Sequence, residues 1–179
     1  MSVGSRRYLR PAWEIGDAYF QPSRLQRREA TPMIAERFHE RPNRTEWLMR
    51  MTAVVSMRGT CERAQVGAII AREGRVISTG YVGSPSGLAH CSEVGCEIGS
   101  DSGCIRTVHA EANAIAFAAK AGTSTDGAEL YCTHLPCLQC SKLIINAGIR
   151  RIVYDLPYRD RSGFQLLESA GVEVVQYGS

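Results

Sequence analysis

The stretch Ile149–Tyr177, IRRIVYDLPYRDRSGFQLLESAGVEVVQY, decides the fold class. Its two ends, IRRIVYD and VEVVQY, are rich in β-branched residues and read as strands. SGFQLLESAG between them carries apolar residues at helical spacing. A helix between the two strands allows them to run parallel, as a hairpin connection could not. Towards the N-terminus, PCLQCSKLIINAG reads as a helix that opens at a proline and closes at a glycine, preceded by the strand AELYCT. HAEANAIAFAAKAG is an alanine-rich helix with Gly122 as its stop. VGAIIA and RVISTGY are strands joined by REG, a hairpin signal, and GYVGSPSG leaves the second as a loop. TEWLMRMTAVVSM reads as the first regular helix, with Thr45 as its N-cap. The sum is a three-layer α/β/α sandwich around a five-stranded mixed sheet.

Composition narrows the function classes. The chain has 179 residues, 44% of them apolar, which suits one domain with an appendage and an ordinary core. The appendage is residues 1–42, with scattered arginines, four prolines and no sustained apolar period; the expectation is an arm that is flexible or docked on a neighbouring subunit. Residues 43–179 form the expected folded domain. Residues 1–44 carry nine arginines against five acidic residues, whereas 45–179 carry twelve basic against thirteen acidic. A domain that coats nucleic acid would show a basic face of its own, so nucleic acid is not the expected partner. No apolar run approaches the ~18 residues of a membrane span, and YLRPAWEIGDAYF is no signal-peptide core. A cytoplasmic protein is expected. Its seven cysteines, odd in number and clustered, then read as metal ligands more readily than as disulfides.

Two motifs carry chemistry. HAE (His109–Glu111) and PCLQC (Pro136–Cys140) each stand at the start of an expected helix. Cys137 and Cys140 are one helical turn apart, so both sulfurs can face one point, and a helix N-terminus favours thiolate over thiol. With His109 they make three zinc ligands and leave a fourth position for water, the arrangement of a catalytic rather than a closed site. Zinc brings the pKa of such a water towards ~7, and Glu111 is placed to shuttle protons. The alternative, a closed zinc that staples two helices, would want a fourth protein ligand where Glu111 stands.

A histidine–x–glutamate followed by PCxxC is the pattern of zinc deaminases that act on bases. From about Arg41 to its C-terminus the chain resembles the deoxycytidylate (dCMP) deaminases, through CERAQVGAII, STGYVGSPSG, HAEANAI, LPCLQC and VYDLPYRD. The resemblance implies hydrolysis of dCMP to dUMP and ammonia by zinc-activated hydroxide, a supply of dUMP for thymidylate synthesis. It implies His109, Cys137 and Cys140 as ligands of the catalytic zinc and Glu111 as proton shuttle. It also suggests Ala110, Asn113 and Tyr158 as contacts to base and sugar, and Arg106 is the candidate for the phosphate. Phe117 and Lys120 match positions of oligomer or effector contacts in a family that often forms homo-hexamers, activated by dCTP and inhibited by dTTP. One departure is Val82, where the family loop usually has asparagine. Rival readings are a deaminase of another or modified cytosine nucleotide, a deaminase of a nucleic-acid base, and a non-catalytic zinc scaffold.

Of the other cysteines, Cys132 reads as a small core residue. Cys61, Cys91, Cys96 and Cys104 are the right number for a closed tetrahedral site, which would anchor a long loop of low apolar content. The phage-type relatives carry a second, structural zinc, with cysteines at the positions of Cys61 and Cys91 and histidines for the rest. Four reduced thiols, with His90 as a substitute ligand, are the alternative.

Overall fold

The computed structural model describes residues 41–100 and 103–178. The arginine-rich arm, apart from its last two positions, lies outside them. The remainder belongs to the compact unit Pro42–Ser179.

Ten elements follow in chain order: α1 (Arg44–Ser56), β1 (Gly67–Arg72), β2 (Arg75–Tyr81), α2 (Cys91–Val94), α3 (Ala110–Lys120), β3 (Glu129–His134), α4 (Leu138–Asn146), β4 (Arg151–Leu156), α5 (Ser162–Ser169) and β5 (Glu173–Gln176). They form one five-stranded sheet of order β2-β1-β3-β4-β5. β1 runs antiparallel to β2 and β3, while β3, β4 and β5 run parallel. The mixed sheet expected from the sequence is therefore present, and the parallel half coincides with the strand–helix–strand stretches.

The β1–β2 hairpin turns on Glu73 and Gly74, both at positive φ (53° and 76°). Two successive left-handed residues match the twist of the flanking strands, which is why this short loop closes the ladder. The first helix departs from expectation at its start. Its N-cap is Asn43, not Thr45: the Asn43 carboxamide oxygen accepts from the Glu46 amide at 2.9 Å. The cap holds the extended conformation that Asn43 adopts, and Thr45 falls inside the first turn. The four-residue α2 was not foreseen, since no periodic pattern can show over one turn.

Alternate residues of the sheet feed two cores. On one face Ile69, Tyr131 and Val153 pack with Leu48 and Met49 of α1. On the other Ala68, Ile70, Leu130, Cys132 and Ile152 pack with Ala110 and Ala114 of α3, Ile144 of α4 and Leu167 of α5. Helices thus cover both faces, giving the three layers. Cys132 is fully buried, as expected of a core residue.

Candidate active site

Two helix starts meet at the site. His109 is the N-cap of α3 and Cys137 the N-cap of α4, both in extended backbone (ψ 154° and 169°). Their carbonyls already accept the first helical bonds, from the Asn113 amide at 3.0 Å and the Ser141 amide at 2.9 Å. Neither side chain caps its own helix, and the two turn toward a shared centre. Close seating of α3 on the sheet depends on Gly80 of β2, where a Cβ would come within 2.1 Å of the Ala110 carbonyl oxygen.

At that centre Cys137 Sγ lies 3.4 Å and Cys140 Sγ 3.5 Å from His109 Nδ1. Tetrahedral zinc with bonds of ~2.3 Å to sulfur and ~2.0 Å to nitrogen separates S from N by about 3.6 Å. The three donors thus stand where zinc ligands stand, and their chemistry is that of a zinc site. The hydrogen bond from Cys140, with help from His109, brings Cys137 down to about 4, whereas that same bond and burial push Cys140 far up. Glu111 is buried, which raises its carboxyl; its own backbone amide and His109 pull the other way.

A cavity of about 270 Å³ opens onto His109, Glu111 and Cys137, lined also by Cys61, Arg63, Val66, Val82, Cys104, Thr107, Ala110, His134, Tyr158 and Arg159. The Arg159 guanidinium lies 5.7 Å from the centre of the Tyr158 ring, a cation–π contact. Ala110, Glu111 and Tyr158 are therefore gathered at one cavity with His109 and Cys137; Cys140 is not among its lining residues.

Other expected contacts are placed differently. Arg106 is not among the lining residues; its Nη2 donates to Glu97 Oε2 at 3.2 Å. The Asn113 amide donates to the Tyr81 carbonyl at 2.8 Å, so it ties α3 to the end of β2 and does not line the cavity. Phe117 and Lys120 are exposed on α3. Sequence reading missed Arg63, Arg159 and His134. Arg63 and Arg159 stand within CERAQVGAII and VYDLPYRD, already quoted, and His134 directly precedes LPCLQC; that adjacency was the available signal.

A second cluster adjoins the cavity. Cys61 Sγ lies 3.9 Å from Cys96 Sγ, and Cys91 Sγ 3.7 Å from Cys104 Sγ. Cys61, Cys91 and Cys96 have sulfurs mutually within 4.8 Å. Sulfurs on tetrahedral zinc stand about 3.8 Å apart, so this group too has zinc spacing. Burial and the neighbouring thiols raise Cys91 to about 12. Burial also raises Cys104, but backbone amides outweigh it and hold that thiol at about 7. Cys61 and Cys104 line the cavity as well, so the cluster forms part of its wall.

Residues 42–156 match the model of the cytidine and deoxycytidylate deaminase zinc-binding region. The chain belongs to this family. It is a zinc-dependent hydrolytic deaminase. It is 46% identical over 138 residues to ComE operon protein 2 of Bacillus subtilis (strain 168), covering 76% of this chain and 72% of that protein. It is 38% identical over 143 residues to the deoxycytidylate deaminase of Saccharomyces cerevisiae, covering 76% of this chain and only 46% of the yeast enzyme. The crystal structure of dCMP deaminase from the cyanophage S-TIM5, in complex with dCMP and dUMP, superposes with a TM-score of 0.68 at 38% identity, covering 77% of this chain and 99% of that one. No described helix is long and apolar enough to cross a membrane.

Proposed function

We propose that this deaminase hydrolyses dCMP to dUMP and ammonia, a supply of dUMP for thymidylate synthesis. The observation that carries the reading is one cavity that joins His109, Cys137 and Glu111 to two arginines, Arg63 and Arg159. A cytosine ring at the donors and a phosphate at the arginines make a mononucleotide. The cyanophage enzyme of similar fold, described with dCMP and dUMP, supports the choice.

On this reading His109, Cys137 and Cys140 hold the catalytic zinc, and Cys61, Cys91, Cys96 and Cys104 a second, structural one. When bound, the catalytic zinc supplies Lewis acidity that makes a water nucleophilic at neutral pH. Glu111 accepts a proton as the water oxygen bonds to C4 of the ring and delivers it to N3. The C4–N bond then breaks, and Glu111 relays the second proton so that the amine leaves as ammonia. Arg63 and Arg159 take the phosphate role first expected of Arg106. Tyr158 packs beside the base or sugar, and Val82 makes one wall apolar where the family usually has an amide. Seven free thiols among the described residues suit a reducing compartment, the cytoplasm. A homo-hexamer with dCTP and dTTP as effectors is the accompanying proposal, supported by the exposed Phe117 on α3 (51% accessible).

The test is the ultraviolet change on deamination, followed with zinc-loaded protein and dCMP, CMP, deoxycytidine and a transfer RNA in parallel. Turnover of dCMP well above the others is expected. Turnover of none, with dCTP added, overturns the reading.

A further inference from the structure

His134 ends β3, three residues before Cys137, and lines the cavity. Its ring is hydrogen-bonded to its neighbour Thr133. The Gly67 amide donates to Thr133 Oγ1 at 3.2 Å, and Thr133 Oγ1 lies 3.0 Å from His134 Nδ1. The hydroxyl oxygen accepts from Gly67 and keeps a hydrogen of its own to give to Nδ1. A neutral imidazole whose Nδ1 accepts carries its proton on Nε2. Burial lowers the basicity of the ring, against a weaker opposite pull from Asp155, and so favours the neutral form. Among the described residues nothing accepts from Nε2, and that atom is not among the buried polar atoms left without partners. In that tautomer His134 brings to the cavity wall an N–H donor with no partner among the described residues.

We infer that His134 binds substrate, its Nε2–H donating to an oxygen of the nucleotide. The inference rests on the dCMP reading above. Acceptors of one chemistry are available on the ring carbonyl, the sugar and the phosphate, and the experiment separates the last from the others. His134 exchanges no proton with the substrate; it fixes the pose.

The test uses the full-length zinc-loaded chain. Its four histidines, His39, His90, His109 and His134, give an assignable set of ¹⁵N imidazole signals, with His134→Gln as the assignment variant. The expected pattern for His134 is neutral with the proton on Nε2, and its Nε2 signal shifts on addition of dUMP. His134→Leu raises KM for dCMP about tenfold with kcat within about threefold, the size of one hydrogen bond. His134→Gln, whose amide N–H reaches to a similar point, returns KM to within about threefold of wild type. Weaker inhibition of His134→Leu by both dUMP and deoxyuridine assigns the bond to ring or sugar; weaker inhibition by dUMP alone assigns it to phosphate. A proton on Nδ1, or a His134→Leu chain with unchanged KM, overturns the inference. A wild-type chain inactive on dCMP overturns the substrate reading instead, and the imidazole signal then still decides whether the donor exists.

Discussion

A Cβ on Gly80 would stand 2.1 Å from the carbonyl oxygen of Ala110 and 2.4 Å from the amide nitrogen of Ala114. Both are backbone atoms, so no side-chain rotation relieves the overlap. The start of α3, which carries His109 and Glu111, rests directly on β2. Gly80→Ala must push that helix off the sheet. The expected result is a loss of about 3 kcal/mol in stability by denaturant unfolding, with sub-stoichiometric zinc at the His109 site. A variant of wild-type stability and activity would show that the two elements are not in contact.

Glu111 is the buried acid beside the donors, and its removal separates proton transfer from metal binding. Glu111→Gln keeps the volume and a hydrogen-bonding head. Zinc content should stay as in wild type while kcat falls about 10³-fold, within the range of general acid–base catalysis. Activity that survives this change would revive the non-catalytic scaffold.

The two sulfur clusters predict two zinc ions per chain. Replacing Cys96 and Cys104 together by serine should remove one ion and lower Tm by about 10 °C, since a metal that anchors a loop contributes to folding. Replacing Cys137 should remove the other ion and abolish turnover, at less cost in Tm. Metal analysis on each variant decides, and a single ion in the wild type would refute the second site.

Arg63 and Arg159 should act on the phosphate. Arg63→Gln and Arg159→Gln each raise KM for dCMP tenfold or more, the size of a lost charge-assisted hydrogen bond. Neither should alter the binding of the nucleoside. Parallel losses for nucleotide and nucleoside would move the arginines away from the phosphate.

How much of this was legible in the sequence follows from physical range. The donors of the first site lie at helix starts, one turn apart in Cys137 and Cys140, so local periodicity exposes them. His109 joins them from 28 residues away because its motif also opens a helix. The phosphate end has no such period. Arg63, Arg106 and Arg159 all sit in loops, and only the tertiary path sends two of them to the cavity and the third to Glu97. Asn113 shows the same limit: its position on α3 was readable, but its bond to the Tyr81 carbonyl depends on how α3 crosses β2. The N-cap of α1 failed for a smaller reason. Asn43 and Thr45 are both good caps, and sequence ranks them without showing which backbone is extended.

Tyr131 supplies a pH test that leaves both sulfur clusters alone. It is fully buried between α1 and the sheet, and its hydroxyl donates to Glu129 Oε2 at 2.6 Å. Burial first, and the Glu129 carboxylate second, raise its pKa from 10 to about 12. The folded state thus holds the phenol proton more tightly than the unfolded chain does. Its contribution to stability is complete below pH ~10, declines as pH rises, and is lost above the folded value. Wild type should therefore lose stability between pH 10 and 12 more steeply than Tyr131→Phe, measured by denaturant unfolding along a pH series. Below pH 9 the two curves should run parallel, offset by the lost hydrogen bond, about 1 kcal/mol. Equal slopes above pH 10 would mean that the phenol already ionises in the folded chain as freely as in the unfolded one.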